Sequence, residues 1–184
     1  AARPGELAIA YKPMQLHVIN NGHTIQANTS AGSSCMIGET TFVLQQFHFH
    51  HPSEHLLSGK PFDLECHFVH RSAAGELAVI GVFLRPGQAN RCLEPIWSAM
   101  PRQEGPEHDL GTALDVTSLL PDDRSFFRYM GSLTTPPCTQ GIIWSVMVKP
   151  IEASPEQIRQ FAALFPDNAR PVQSRNRRYL LQSS

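Results

Sequence analysis

The chain has 184 residues, 41% hydrophobic and 17% charged, with a formal net charge of −1. That length suits about one domain with a sizeable core, and the composition is too apolar and too weakly charged for a disordered chain. The charge gives no reason to expect nucleic acid or an anionic membrane as partner, no run approaches the roughly 20 apolar residues of a membrane span, and the start lacks a basic segment followed by an apolar one.

Taken in chain order, stretches rich in β-branched and aromatic residues and bounded by Gly, Pro, Asn or Ser predict strands over residues 16–27, 41–51, 64–72, 77–84 and 141–150. Ala73-Ala74-Gly75-Glu76 is short enough to join the third and fourth as an antiparallel hairpin. A helix is expected over 90–100, with Pro95 against it. A second is expected over 155–165, where Ser154 is the N-cap, Pro155 suits the first helical position and Gln157 completes a capping box. With no repeat or internal linker, residues 1–184 read as a single domain. Arg175, Arg177 and Arg178 form a small basic cluster that reads as solvated surface.

The chemistry-bearing stretch is Gln46-Phe47-His48-Phe49-His50, followed by Leu64-Glu65-Cys66-His67. On a strand, His48 and His50 share one face and Phe47 and Phe49 the other. His67 on a neighbouring strand completes three neutral imidazoles, the donor set of a catalytic zinc with an open position. A lone strand histidine is more often a satisfied polar residue than a ligand. Here Gln46 lies on the face of His48 and His50, and Glu65 on the face of His67, where each can bond the nitrogen that faces away from a metal. The four cysteines, at 35, 66, 92 and 138, show no Cys-x-x-Cys spacing, which argues against a thiolate metal site. Cys66 reads as a small buried hydrophobe.

Further motifs are Asn20-Asn21-Gly22-His23, Pro52-Ser53-Glu54-His55, Gly131-Ser132-Leu133-Thr134-Thr135-Pro136-Pro137-Cys138 and Gly141-Ile142-Ile143-Trp144. With the histidine strands, and in this order, they make the chain from about residue 16 to 170 resemble the α-class carbonic anhydrases, with the Pro-Ser-Glu-His linkage typical of bacterial members. The resemblance implies a mainly β fold: a large, twisted, mostly antiparallel central sheet with a few short peripheral helices and Zn2+ in a conical cleft. It implies reversible hydration of carbon dioxide by zinc-bound hydroxide, weak ester hydrolysis, and inhibition by sulfonamides or anions. A non-catalytic binding module of the same fold is the alternative.

The same resemblance assigns roles. Thr134 orients the nucleophile by passing its own proton to Glu54, and Thr135 contacts bicarbonate. Val69, Val79, Leu133, Ile142 and Trp144 form the apolar substrate wall. His23 shuttles protons, with Asn21 and Gln26 holding the bridging waters. The backbone carbonyl of Asn168 supports His50. His55 and His70 match buried structural histidines, while His17, His51 and His108 read as surface residues. In relatives the position of Cys138 pairs with a cysteine near the N-terminus, which implies a periplasmic or secreted protein. Compared with the family pattern the chain begins late, and an exchanged N-terminal segment would make a homodimer.

Overall fold

The computed structural model describes residues 6–183. Its strands are β1 (Leu7–Ala10), β2 (Leu16–Asn20), β3 (Ile25–Thr29), β4 (Ser34–Ile37), β5 (Thr40–His50), β6 (Leu64–Ser72), β7 (Leu77–Pro86), β8 (His108–Asp109), β9 (Phe126–Ser132), β10 (Gln140–Met147), β11 (Ile151–Ala153) and β12 (Leu181–Gln182). Two short helices, α1 (Leu93–Ser98) and α2 (Pro155–Leu164), accompany them. All twelve strands belong to one sheet, whose main path runs β12-β9-β10-β7-β6-β5-β3-β2-β8. Pairing is antiparallel except where β10 and β11 run parallel to β7. The mainly β, mostly antiparallel expectation is met.

Alternation along the strands divides the molecule. Phe47, Phe49, Cys66 and Phe68 are fully buried in the larger core on one side of the sheet. Burying each phenylalanine contributes roughly 1.5–3 kcal/mol. Helices α1 and α2 close this core, with Trp97 edge-on to Phe49 at 4.8 Å and stacked on Phe161 at 5.7 Å. The opposite face carries the histidines and a smaller cluster of Val79, Phe83, Ile142, Trp144 and Val146. The fold thus leaves one sheet face free for chemistry while the other supplies most of the packing.

Three expectations need correction. Residues 16–27 are two strands, because Asn20 Oδ1 accepts from Gly22 N, Asn21 Oδ1 accepts from the backbone N–H groups of His23 and Thr24, and Gly22 adopts φ +81°. These Asx turns reverse the chain into the β2–β3 hairpin. The helix over 90–100 shrinks to Leu93–Ser98: Asn90 Oδ1 takes the Cys92 N–H, while Pro95 fits only in the first turn. Strand β9 was absent from the expected set. Its arginine and glycine hide a strand in which Phe126, Arg128 and Gly131 are buried. The 73–76 hairpin and the α2 capping box form as expected.

Candidate metal centre

Strands β5 and β6 pair in a register that sets His48 opposite His67 and His50 opposite Glu65. The three imidazoles therefore converge: atoms able to bind a metal on His48, His50 and His67 lie within 4.8 Å of one another. Each ring is oriented through its other nitrogen. His48 Nδ1 donates to Gln46 Oε1 (2.8 Å), His50 Nδ1 to the Asn168 carbonyl (3.2 Å) and His67 Nε2 to Glu65 Oε1 (2.9 Å). Those bonds leave His48 Nε2, His50 Nε2 and His67 Nδ1 facing the common point.

The site's electrostatics suit a cation. Burial, and then the neighbouring rings of His50 and His67, hold the His48 pKa well below the usual imidazole value. Burial and the His67 ring push His50 down to about 4. Both rings are neutral and available as ligands at pH 7. Burial opposes ionisation of Glu65, but the His55 and His67 rings outweigh it and keep the carboxyl well below the usual range. His50 Nε2 and Glu54 Oε2 are buried without a hydrogen-bond partner among the described residues. A buried imidazole nitrogen with no hydrogen-bond partner, converging with two others, is the donor set of a three-histidine zinc site, so the residues fit Zn2+.

The trio opens into a cleft of about 880 Å³. Its lining includes Asn21, His23, Gln26, Glu54, Val69, Val79, Leu133, Thr134, Thr135, Trp144 and Asn168, so nearly every residue singled out from the sequence meets here. Glu65, behind His67, and Ile142 do not line it. Ile142 is buried in the cluster with Val79 and Trp144, on the same face of β10 as Trp144 but without reaching the cleft. Thr134 and Glu54 line the same cavity but are not hydrogen-bonded to each other. Glu54 Oε1 instead accepts the Arg170 backbone N–H at 2.7 Å, leaving Oε2 free. His70 is buried, as expected, whereas His55 is partly exposed. His108 is exposed and His17 and His51 are half-buried.

Asn168 does more than its sequence position suggests. Besides its carbonyl, its side chain accepts the His51 N–H (2.8 Å) and donates to the carbonyls of His23 (2.9 Å) and Phe49 (3.1 Å), tying the His23 turn to the histidine strand. Arg170, Tyr129 and Gly81 also serve the site and carry no local signal. Their roles depend on the juxtaposition of β7, β9 and the 166–170 segment.

Fold and donor set together define a β-sheet protein with a three-histidine, zinc-type site, and comparison with known proteins places it in a family. Residues 4–184 match the model of the eukaryotic-type carbonic anhydrase family. A carbonic anhydrase of Nostoc sp. is 48% identical over 178 residues, spanning 96% of this chain and 67% of the relative. An α-carbonic anhydrase from Thermovibrio ammonificans, solved with the inhibitor sulfanilamide, superimposes with a TM-score of 0.94 at 40% identity, covering 98% of this chain and 80% of that one. A hyperthermostable carbonic anhydrase from a hydrothermal vent chimney gives 0.95 at 41% identity, covering 100% and 82%. The chain belongs to the eukaryotic-type, or α-class, carbonic anhydrase family.

Proposed function

We propose that this chain is a zinc-dependent carbonic anhydrase, interconverting carbon dioxide and bicarbonate with release or uptake of a proton. The observation that carries this reading is the set of three convergent imidazole nitrogens, one buried and unpartnered, at the floor of an apolar-walled cleft. Bound Zn2+ supplies Lewis acidity that lets water ionise near neutral pH.

The remaining work falls to the chain's own residues. His48, His50 and His67 hold the ion as neutral donors, and Gln46, Asn168 and Glu65 fix their ring orientations. Val69, Val79, Leu133 and Trp144 offer carbon dioxide an apolar wall, and Thr135 borders the place bicarbonate leaves from. The unpartnered Glu54 Oε2 is an acceptor for the Thr134 hydroxyl proton, which leaves the Thr134 oxygen free to orient the attacking group. His23, at the cleft's edge with Asn21 and Gln26 joined beside it (3.4 Å), carries the proton to solvent. Weak ester hydrolysis belongs to the same reading. So does sulfonamide inhibition, supported by the sulfanilamide complex of the Thermovibrio relative. No second copy is required, since one chain supplies every residue named. A periplasmic or secreted location rests on the resemblance at Cys138.

Zinc content measured with stopped-flow carbon dioxide hydration, with and without sulfanilamide, tests the proposal. One zinc per chain with sulfanilamide-sensitive hydration is expected. A zinc-loaded chain that fails to hydrate carbon dioxide overturns it.

A further inference from the structure

The hydrogen-bond chain behind His67 does not stop at Glu65. Glu65 Oε1 meets His67 Nε2 at 2.9 Å and His55 Nδ1 at 2.6 Å, while Oε2 accepts the backbone N–H groups of Glu54 and His55, each at 2.9 Å. Four donors pin the carboxylate. The far nitrogen of His55, Nε2, lies 2.6 Å from the Tyr129 hydroxyl. A neutral imidazole carries one ring proton. With that proton on Nδ1, His55 donates to Glu65 and accepts from Tyr129. With it on Nε2, two acceptors would face each other at 2.6 Å across the His55–Glu65 contact.

Tyr129 is itself clamped. Its ring lies parallel to Trp144, 10° between planes, and a methyl group on Gly131 would come within 2.7 Å of both Tyr129 Cε2 and Trp144 Cδ1. Only glycine at 131 admits this close approach, so the hydroxyl has little freedom to leave His55.

We propose that Tyr129 is a positioning residue for the metal: Glu65 fixes the His55 proton on Nδ1, the Tyr129 hydroxyl donates to the bare Nε2 and holds that ring on Glu65, and Glu65, shared with His67, sets how firmly His67 holds zinc. This rests on the zinc reading above.

Nitrogen-resolved imidazole NMR of the metal-free chain at pH 8 assigns the ring protons without any substitution. His55 is expected to be protonated on Nδ1 and bare on Nε2; a proton on Nε2 overturns the proposal. Tyr129→Phe keeps the ring and its stacking. It is expected to leave the His55 proton on Nδ1 but shift the Nε2 resonance as that nitrogen loses its donor, and to raise the zinc dissociation constant about three- to tenfold, one step weaker than the 10–100-fold typical of direct outer-shell partners. In a His55→Gln background the same substitution is expected to change zinc affinity less than about twofold. Unchanged His55 shifts and affinity in Tyr129→Phe, or equal effects in both backgrounds, overturn it. A parent chain that binds no zinc defeats the zinc reading, and with it the affinity role, while the NMR result still decides whether Tyr129 donates to a bare His55 Nε2.

Discussion

His48 and His67 stand directly opposite each other across the β5–β6 ladder, their ring centroids 5.3 Å apart. The backbone ladder, not a metal, brings them together. A one-residue slip of that ladder would send the imidazoles into the phenylalanine core, so burial on one face enforces ligand geometry on the other.

Removing one ligand therefore removes the site without removing the fold. His67→Ala is expected to lose zinc and carbon dioxide hydration together, whereas His23→Ala keeps its zinc and loses, on the order of, ten- to hundredfold only in buffer-limited turnover. Metal analysis beside stopped-flow assays at low and high buffer checks both. Full zinc occupancy in His67→Ala would remove it from the ligand set.

The partners behind the ligands differ in leverage. Gln46 bonds one ring, but Glu65 is fully buried and accepts four donors. Gln46→Ala is expected to weaken zinc binding by about tenfold and Glu65→Ala by nearer a hundredfold. Chelator competition gives both constants, and the reverse ranking would contradict the geometry.

Gly81 lies opposite His67, and an added methyl would sit 2.9 Å from Glu65 Oε1. The carboxylate cannot swing aside without breaking its bonds to the backbone. Gly81→Ala is expected to destabilise the metal-free chain by about 1–3 kcal/mol and to weaken zinc binding as well. Denaturant unfolding with a zinc titration would show both, and an unaltered zinc constant would mean the carboxylate adapts.

His70 gives the fold a pH dependence unrelated to catalysis. It accepts from the Tyr11 hydroxyl (2.8 Å) and donates to the Ala78 carbonyl (3.3 Å), and burial pushes its pKa down to about 4. The unfolded chain takes up this proton below about pH 6.5, the folded chain only near 4. Its contribution is thus fully present above pH 6.5 and shrinks as pH falls toward 4. In the metal-free state His70→Asn is expected to be less stable at pH 7 and to close on the parent by roughly 2 kcal/mol at pH 5. Parallel pH dependences would show that His70 is not the group responsible.

What could be read from the residues was whatever is local. Alternation placed His48 and His50 on one face, and Ser154, Pro155 and Gln157 located α2 to within a residue. The strand at 126–132 escaped because Arg128 is buried there on the Ser145 hydroxyl and the Phe126 ring, a tertiary solution that a polar residue in a strand does not announce. The Asn168 side chain, Tyr129 and the room left by Gly81 are likewise long-range facts. Ile142 was placed in the substrate wall by the family resemblance, and how far its side chain reaches is set by packing against Val79 and Trp144, which no local pattern carries.

The parallel pairing of β10 with β7 also bears on the order in which the molecule acquires its abilities. The three zinc ligands lie on adjacent antiparallel strands joined by a short excursion, whereas the Thr134 turn reaches them only after residues 87–139 have travelled around the molecule. Near-neighbour pairing forms faster than pairing that closes a long loop. A refolding chain is accordingly expected to gain metal affinity before it gains turnover, and time-resolved zinc uptake against recovery of hydration would reveal the interval: for that time the protein is a zinc-binding hairpin still waiting for its enzyme.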